Sequence, residues 1–225
     1  KNTSIVIDDS MQCESLSLEG VQVQKMQIVS KKMKKLLIKT CNLPDEYTIN
    51  TPNLQTLGLK ETYVKKLQYG KMDKLKYLSL GLNVIQNGKE KASPVTVLDL
   101  QKSKNIAELS VTGCRINKLD LSSVNKTLRL ASITQSGKYP IKQVRLGKMA
   151  ALKGLSVSAK CASIDVSKCS RLNTLECASY GIFKVKLPKS VQYLTLTSLD
   201  KKGCKSLKLS NCKKLKALKD RKSVV

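Results

Sequence analysis

The chain has 225 residues, with 42 Lys and Arg against 16 Asp and Glu for a formal charge of +26, and it contains no His and no Trp. Without an imidazole, Ser-His-Asp and Cys-His catalysis and the commonest zinc and non-haem iron sites are excluded. At 41% hydrophobic and 26% charged residues, the composition is that of a folded domain and not of a disordered basic tail.

From the N-terminus, Lys1 to Ile7 has no signal-peptide apolar core, and no apolar run anywhere reaches the ~18–20 residues a membrane span needs. No membrane span is expected, and the chain reads as cytosolic or as a mature form. Ile5 and Ile7 then open an array of apolar pairs of the form L-x-L, usually with another apolar residue three positions earlier. The second members are Ile7, Leu18, Ile28, Ile38, Ile49, Leu59, Tyr69, Leu80, Leu100, Val111, Leu121, Leu130, Leu146, Val157, Val166, Cys177, Leu187, Leu196, Leu209 and Leu218. Most gaps are 9 to 11 residues, and loop insertions are expected in the three longer ones, near 82–94, 132–140 and 199–203.

Alternate anchors fall on two interleaved tracks, and spacing within a track is mostly 19 to 22 residues. Track A starts at Leu18 and track B at Ile7. The alternation within each pair has period 2, so the pair faces inward and the residue between faces out. One turn alone buries little, but turns stacked ~4.8 Å apart join their leucines into one core. The sequence therefore predicts a mainly β solenoid of about ten coils of ~21 residues, with two short parallel strand tracks per coil and little helix. A single domain over 1–225 is expected, with a cap or first coils over 1–30.

Track A fits L-x-x-L-x-L-x-x-N/C-x-L in Leu36-Leu37-Ile38-Lys39-Thr40-Cys41, Leu78-Ser79-Leu80-Gly81-Leu82-Asn83 and Leu109-Ser110-Val111-Thr112-Gly113-Cys114. Track B reads Leu98-Asp99-Leu100, Leu119-Asp120-Leu121-Ser122 and Ile164-Asp165-Val166-Ser167. In these motifs the chain resembles the leucine-rich repeat family, and its 21-residue period resembles bacterial internalin-like and BspA-like surface proteins. The resemblance covers essentially the whole chain. It implies a right-handed solenoid, a secreted or cell-surface location, and a non-enzymatic ligand-binding or adhesion role. Lys160 and Leu199 stand where the family has Asn or Cys, so irregular coils are expected there.

Four residues, Cys41, Thr62, Asn83 and Cys114, are expected to fill the repeat's Asn/Cys slot, packed inside the turn. The eight cysteines read as buried free thiols: Cys177 replaces an inward leucine, and Cys169 and Cys212 sit two coils apart, ~10 Å, beyond the ~7 Å reach of a disulfide. No disulfide, metal or other cofactor is expected. Asp99 and Asp120 are adjacent outward carboxylates, but with Arg145, Asp165, Lys186 and Lys208 they form a row that reads as a charge-balanced cross-strand ladder and not as an acid/base pair.

The outward face of track A is nearly uncharged: Ser17, Thr56, Gly58, Ser79, Gly81, Ser110, Thr112, Thr127, Gly154, Ser156, Ser158, Thr174, Thr195 and Thr197. In the resembled family the contact surface is the equivalent face. That implies a ligand site at Tyr77, Ser79, Glu108, Ser110, Ser156, Glu176, Tyr193 and Thr195, with a protein or glycan as partner and a monomer as the expected state.

By contrast, the turn after track B gathers Lys71, Lys102, Lys148, Lys168 and Lys189, a basic edge fit for a polyanion such as teichoic acid, sulfated or sialylated glycan, acidic protein or nucleic acid. Such an edge would equally solubilise the turns, or anchor the protein electrostatically to an anionic wall. Sequence-specific nucleic-acid reading is not expected, because Lys outnumbers Arg 37 to 5 and only eight aromatics are available for stacking.

Overall fold

A computed structural model describes residues 2–135, 139, 141–160, 163–179, 184–198 and 206–222. The chain is a parallel β-solenoid of about nine turns of ~21 residues, and it divides into two compact units, Lys1–Arg115 and Ile116–Val225. Among the described residues no helix is long and apolar enough to cross a membrane.

In the first unit the strands are β1 (Asn2–Ile7), β2 (Ser15–Glu19), β3 (Gln22–Val29), β4 (Lys35–Lys39), β5 (Tyr47–Asn50), β6 (Thr56–Lys60), β7 (Tyr77–Gly81), β8 (Asn83–Gln86), β9 (Lys89–Ala92) and β10 (Glu108–Thr112). Track A is the parallel run β2-β4-β6-β7-β10, and track B is β1-β3-β5. Register stacks Leu36, Leu57, Leu78 and Leu109 in one inward column and Ile38, Leu59, Leu80 and Val111 in the next. Met33, Leu54, Leu75 and Ile106, each three positions before its pair, close the interior, and all twelve are at most 3% exposed. Full burial of such side chains contributes roughly 1.5–3 kcal/mol apiece.

Between the strands of each coil the chain must turn sharply, two residues beyond the second anchor. Gly20, Thr40, Glu61 and Gly113 all take positive φ there. Gly113 has a second constraint, since a Cβ on it would lie 2.5 Å from the Asn83 side chain.

Two tyrosines replace aliphatic residues on track B, and their hydroxyls tie successive coils together. Tyr47 donates to Lys66 O and accepts from Gln68 N, both at 2.9 Å, while Tyr69 donates to Asp99 O at 2.9 Å. Tyr47→Phe keeps the ring but removes two hydrogen bonds to a partly buried carbonyl and amide, so it should cost about 0.5–1.5 kcal/mol. Urea unfolding of the two proteins would check this; an unchanged midpoint would show that water replaces the hydroxyl.

The 82–94 insertion is more ordered than a loop. Strands β8 and β9 form an antiparallel hairpin closed by Asn87 and Gly88, both with positive φ. Asn-Gly with two left-handed residues is the tight hairpin turn whose twist matches its strands. Alternation there is weak, with Ile85 72% exposed, so the apolar pattern gave no sign of strands.

In the second unit the strands are β11 (Lys118–Asp120), β12 (Leu130–Thr134), β13 (Gln143–Arg145), β14 (Gly154–Ala159), β15 (Ser163–Asp165), β16 (Thr174–Ser179), β17 (Lys184–Lys186), β18 (Tyr193–Ser198), β19 (Ser206–Leu207) and β20 (Ala217–Lys222). Here track A is the run β12-β14-β16-β18-β20, while track B falls into two separate sheets, β11-β13 and β15-β17-β19. Inward columns are Ala131, Leu155, Leu175, Leu194 and Ile133, Val157, Cys177, Leu196.

Two anchors need correction. Leu130 does not face the core: it is 47% exposed, while Ala131 and Ile133 are buried. Leu128, fully buried, fills the column three positions before the pair, so Leu128-x-Leu130 only mimics an inward pair. Likewise Leu218 stands in register with Leu194, and Asp220 with Leu196, so Leu218 is the first member of its pair and not the second.

Of the other insertions, β12 already occupies 130–134, positions 136–138 and 140 lie outside the described residues, and 199–203 lies wholly outside them.

Candidate functional site

The outward face of track A is built strand by strand, because parallel register places the residue between each apolar pair beside its counterpart one coil on. In the first unit this brings Tyr77 beside Glu108 and Ser79 beside Ser110. In the second it lines up Ser156, Glu176 and Thr195 on three consecutive strands and sets Tyr193 beside Thr174. All eight sequence-predicted face residues thus lie on track-A strands, in two clusters, one per unit.

In the second unit the face forms an open groove of ≈ 540 Å³, walled by Thr134, Ser156, Glu176, Thr195, Thr197 and Lys219. Its walls are hydroxyl-rich, with one carboxylate and one ammonium. Thr134 is absent from the sequence-derived face because the frame slipped at Leu130, and the slip at Leu218 set Lys219 beside Thr197 and not beside Thr195, its partner in register. The apolar residue three positions before each true pair, Leu128 and Leu215, was the signal that would have corrected both.

Other parts of that face also differ from expectation. Thr127 is in a turn, with its hydroxyl donating to Val124 O at 3.4 Å, and not on a strand. Ser158 is buried, at 8% exposure, standing in register beside Thr134 and Ala178. Two outward leucines break the Ser/Thr run: Leu37 leans over Gly58 and Leu130 over Gly154, where an added Cβ would sit 2.8 and 2.9 Å from their methyls. Bare glycine on one strand makes room for leucine on the next.

Three of the four repeat-slot residues lie inside the turn. The Cys41 thiol donates to Lys39 O at 3.1 Å and Cys114 to Thr112 O at 3.5 Å, while Thr62 Oγ1 lies 2.9 Å from Lys60 O and 3.2 Å from Ile38 O. Asn83 does not fill the slot: the hairpin carries it outward, where Nδ2 donates to Glu90 at 3.1 Å. Ser93 takes its place, fully buried, with Oγ accepting from Val64 N at 3.0 Å.

Burial pushes the Cys114 thiol up to about 12, and it also raises Cys169 and Cys212, so these thiols are protonated and unreactive near neutral pH. Cys13, Cys41, Cys114, Cys169, Cys177 and Cys212 are free thiols; Cys161 and Cys204 lie outside the described residues. No group of three or more potential metal ligands gathers among the described residues.

The track-B carboxylates pair as a ladder would have them. Asp120 meets Arg145 at 3.5 Å across β11-β13, and Asp165 meets Lys186 at 3.3 Å across β15-β17. Hydrogen bonds from Ser122 and Ser167 hold these two carboxyls below the usual carboxylate range, assisted by the cations. Asp99 instead caps a short 3-10 turn, accepting from Gln101 N at 3.0 Å.

Lys71, Lys102, Lys148, Lys168 and Lys189 are all exposed. Lys71 pairs with Asp73 at 2.9 Å, and Lys102 lies over the Tyr69 ring at 6.0 Å.

Comparison with protein-family models, with curated proteins and with solved structures finds no match to this chain.

Proposed function

We propose that the chain is a non-enzymatic binding module of leucine-rich-repeat type, part of a bacterial secreted or cell-surface protein, that takes a protein or glycan ligand on its track-A strand face. The observation that carries this reading is the groove of the second unit, where Ser156, Glu176 and Thr195 stand side by side on adjacent strands. Short hydroxyl side chains on a rigid parallel sheet lose little conformational entropy on binding and offer both donors and acceptors. A solenoid repeats such a row coil after coil, which suits an extended ligand.

Its test is a glycan and matrix-protein binding screen with the whole chain, followed by groove variants on the best binder. Ser156→Arg and Thr195→Arg should each weaken binding at least tenfold, whereas Thr48→Arg, exposed on β5, should change it less than twofold. A screen without binders, or equal effects from all three substitutions, would sink the strand-face reading; turnover of any glycan or peptide would overturn the non-enzymatic one.

A further inference from the structure

The positive charge is unevenly divided. The first unit holds 18 Lys and Arg against 11 Asp and Glu, a net +7, and the second holds 24 against 5, a net +19. In the first unit lysines meet acids one coil away: Lys34 with Glu14 and Lys65 with Asp45, both at 2.6 Å, and Lys39 with Glu19. The second unit has few acids to do this.

Part of that excess lies where track B breaks. Strands β13 and β15 belong to different sheets, and beside them opens a cleft of ≈ 600 Å³ lined by Lys118, Lys142, Lys168, Gln143, Ser163 and Asp165. This volume is in the range of small-ligand sites. Among the described residues none of the three lysines has a carboxylate within ion-pair distance. Asp165 does not neutralise them, since its carboxylate accepts from the Ser167 hydroxyl at 2.6 Å and meets Lys186 at 3.3 Å.

The first unit supplies a comparison. A cleft of ≈ 450 Å³ there places Lys65, Lys66, Asp99 and Lys102 at matching repeat positions. Two of its three lysines are engaged: Lys65 with Asp45 at 2.6 Å, and Lys102 with Tyr69 O at 3.5 Å and with the Tyr69 ring. Lys142 and Lys168 thus stand unpartnered at repeat positions whose first-unit counterparts, Lys65 and Lys102, are partnered.

We infer that the Lys118–Lys142–Lys168 cleft of the second unit docks a linear anionic polysaccharide, one bearing sulfate or uronate groups. Three ammonium groups around the cleft match negative charges spaced along a sugar chain, while Gln143 and Ser163 offer hydrogen bonds to its hydroxyls. Nucleic acid fits less well, since no arginine fork and no stacking ring lines the cleft. This site is on track B and stands independently of the strand-face groove.

The experiment uses heparin as probe on the whole chain, read by titration calorimetry at 0.15 M salt. K118E/K142E/K168E should lose at least tenfold in affinity and show a shallower salt dependence. The charge-matched K25E/K74E/K89E in the first unit should lose less than threefold. K118Q/K142Q/K168Q repeats the test with smaller electrostatic change should the glutamates disturb folding, as judged by thermal melts. Equal losses in the two triple variants would mean a diffuse field and no site, and would overturn the inference. So would absence of heparin binding by the unmodified chain, or duplex DNA of matched length binding as tightly as heparin.

Discussion

Replacing Ile133 with alanine is expected to destabilise the second unit by about 2–5 kcal/mol, the usual cost of truncating a fully buried aliphatic side chain. Leu130→Ala, three residues earlier on the same strand, should change stability by no more than about 0.5–1 kcal/mol. Ile133 is 0% exposed in a column with Val157, Cys177 and Leu196, whereas Leu130 stands outward over Gly154. The pair is a direct reading of register, because a slip would exchange the two effects. Urea unfolding monitored by circular dichroism would decide it; a Leu130→Ala cost equal to or above that of Ile133→Ala would show the strand to be framed on Leu128 and Leu130 instead.

Raising the pH from 8 to 12 should unfold the protein progressively. Burial lifts both the Cys114 thiol and the Tyr47 phenol to about 12, the Gln68 amide bond slightly opposing it for the tyrosine, and it lifts Tyr69 as well. In the unfolded chain these groups ionise near 9 and 10, so between those values and 12 the folded state binds more protons. Stability is then fully present below the unfolded values and is lost as pH climbs through the folded ones. A tenfold difference in acidity between the folded and unfolded chain corresponds to about 1.4 kcal/mol, so the two groups together account for a loss of several kcal/mol. Deprotonating lysines acts the other way by relieving repulsion, so variants are needed to isolate the effect. In unfolding midpoints taken under reductant at pH 8, 9, 10 and 11, C114A/Y47F should have a flatter pH profile than the parent whatever its absolute stability. Parallel profiles would show that these two groups do not drive alkaline unfolding.

Much of the fold was legible in the sequence because the repeat is written in side-chain volume and period. Leu57-x-Leu59 and Leu78-x-Leu80 face inward as their alternation requires, and the Cys41, Thr62 and Cys114 slots hold small side chains bonded to backbone carbonyls. The errors fell where two apolar patterns overlap. Leu128 and Leu130 satisfy the two-residue rule by chance, and the neighbouring strand, with Leu155 opposite Ala131 and Val157 opposite Ile133, fixes the frame that Leu128, three positions before Ala131, also marks. Asn83 failed differently: a hairpin turn encoded by Asn87-Gly88 lifted it out and left Ser93 to take the buried position.

The same division holds for the candidate sites. Ser156, Glu176 and Thr195 were foreseeable as outward residues, and their alignment follows from a period near 20 residues. That they wall a groove with Thr134 and Lys219 was not, since the corrected frame is what turns Thr134 outward and sets Lys219 beside Thr195.

By itself the sequence determined the repeat, the inward columns, the excess of lysine and the lack of any histidine, all properties of residue type and spacing along one dimension. Tertiary structure alone decided where track B breaks between β13 and β15, which lysines meet carboxylates, and which are left around an open cleft. The physical reason is that an ammonium group's partner is set by distance across coils, and a coil-to-coil distance is not written in the spacing of residues along the chain.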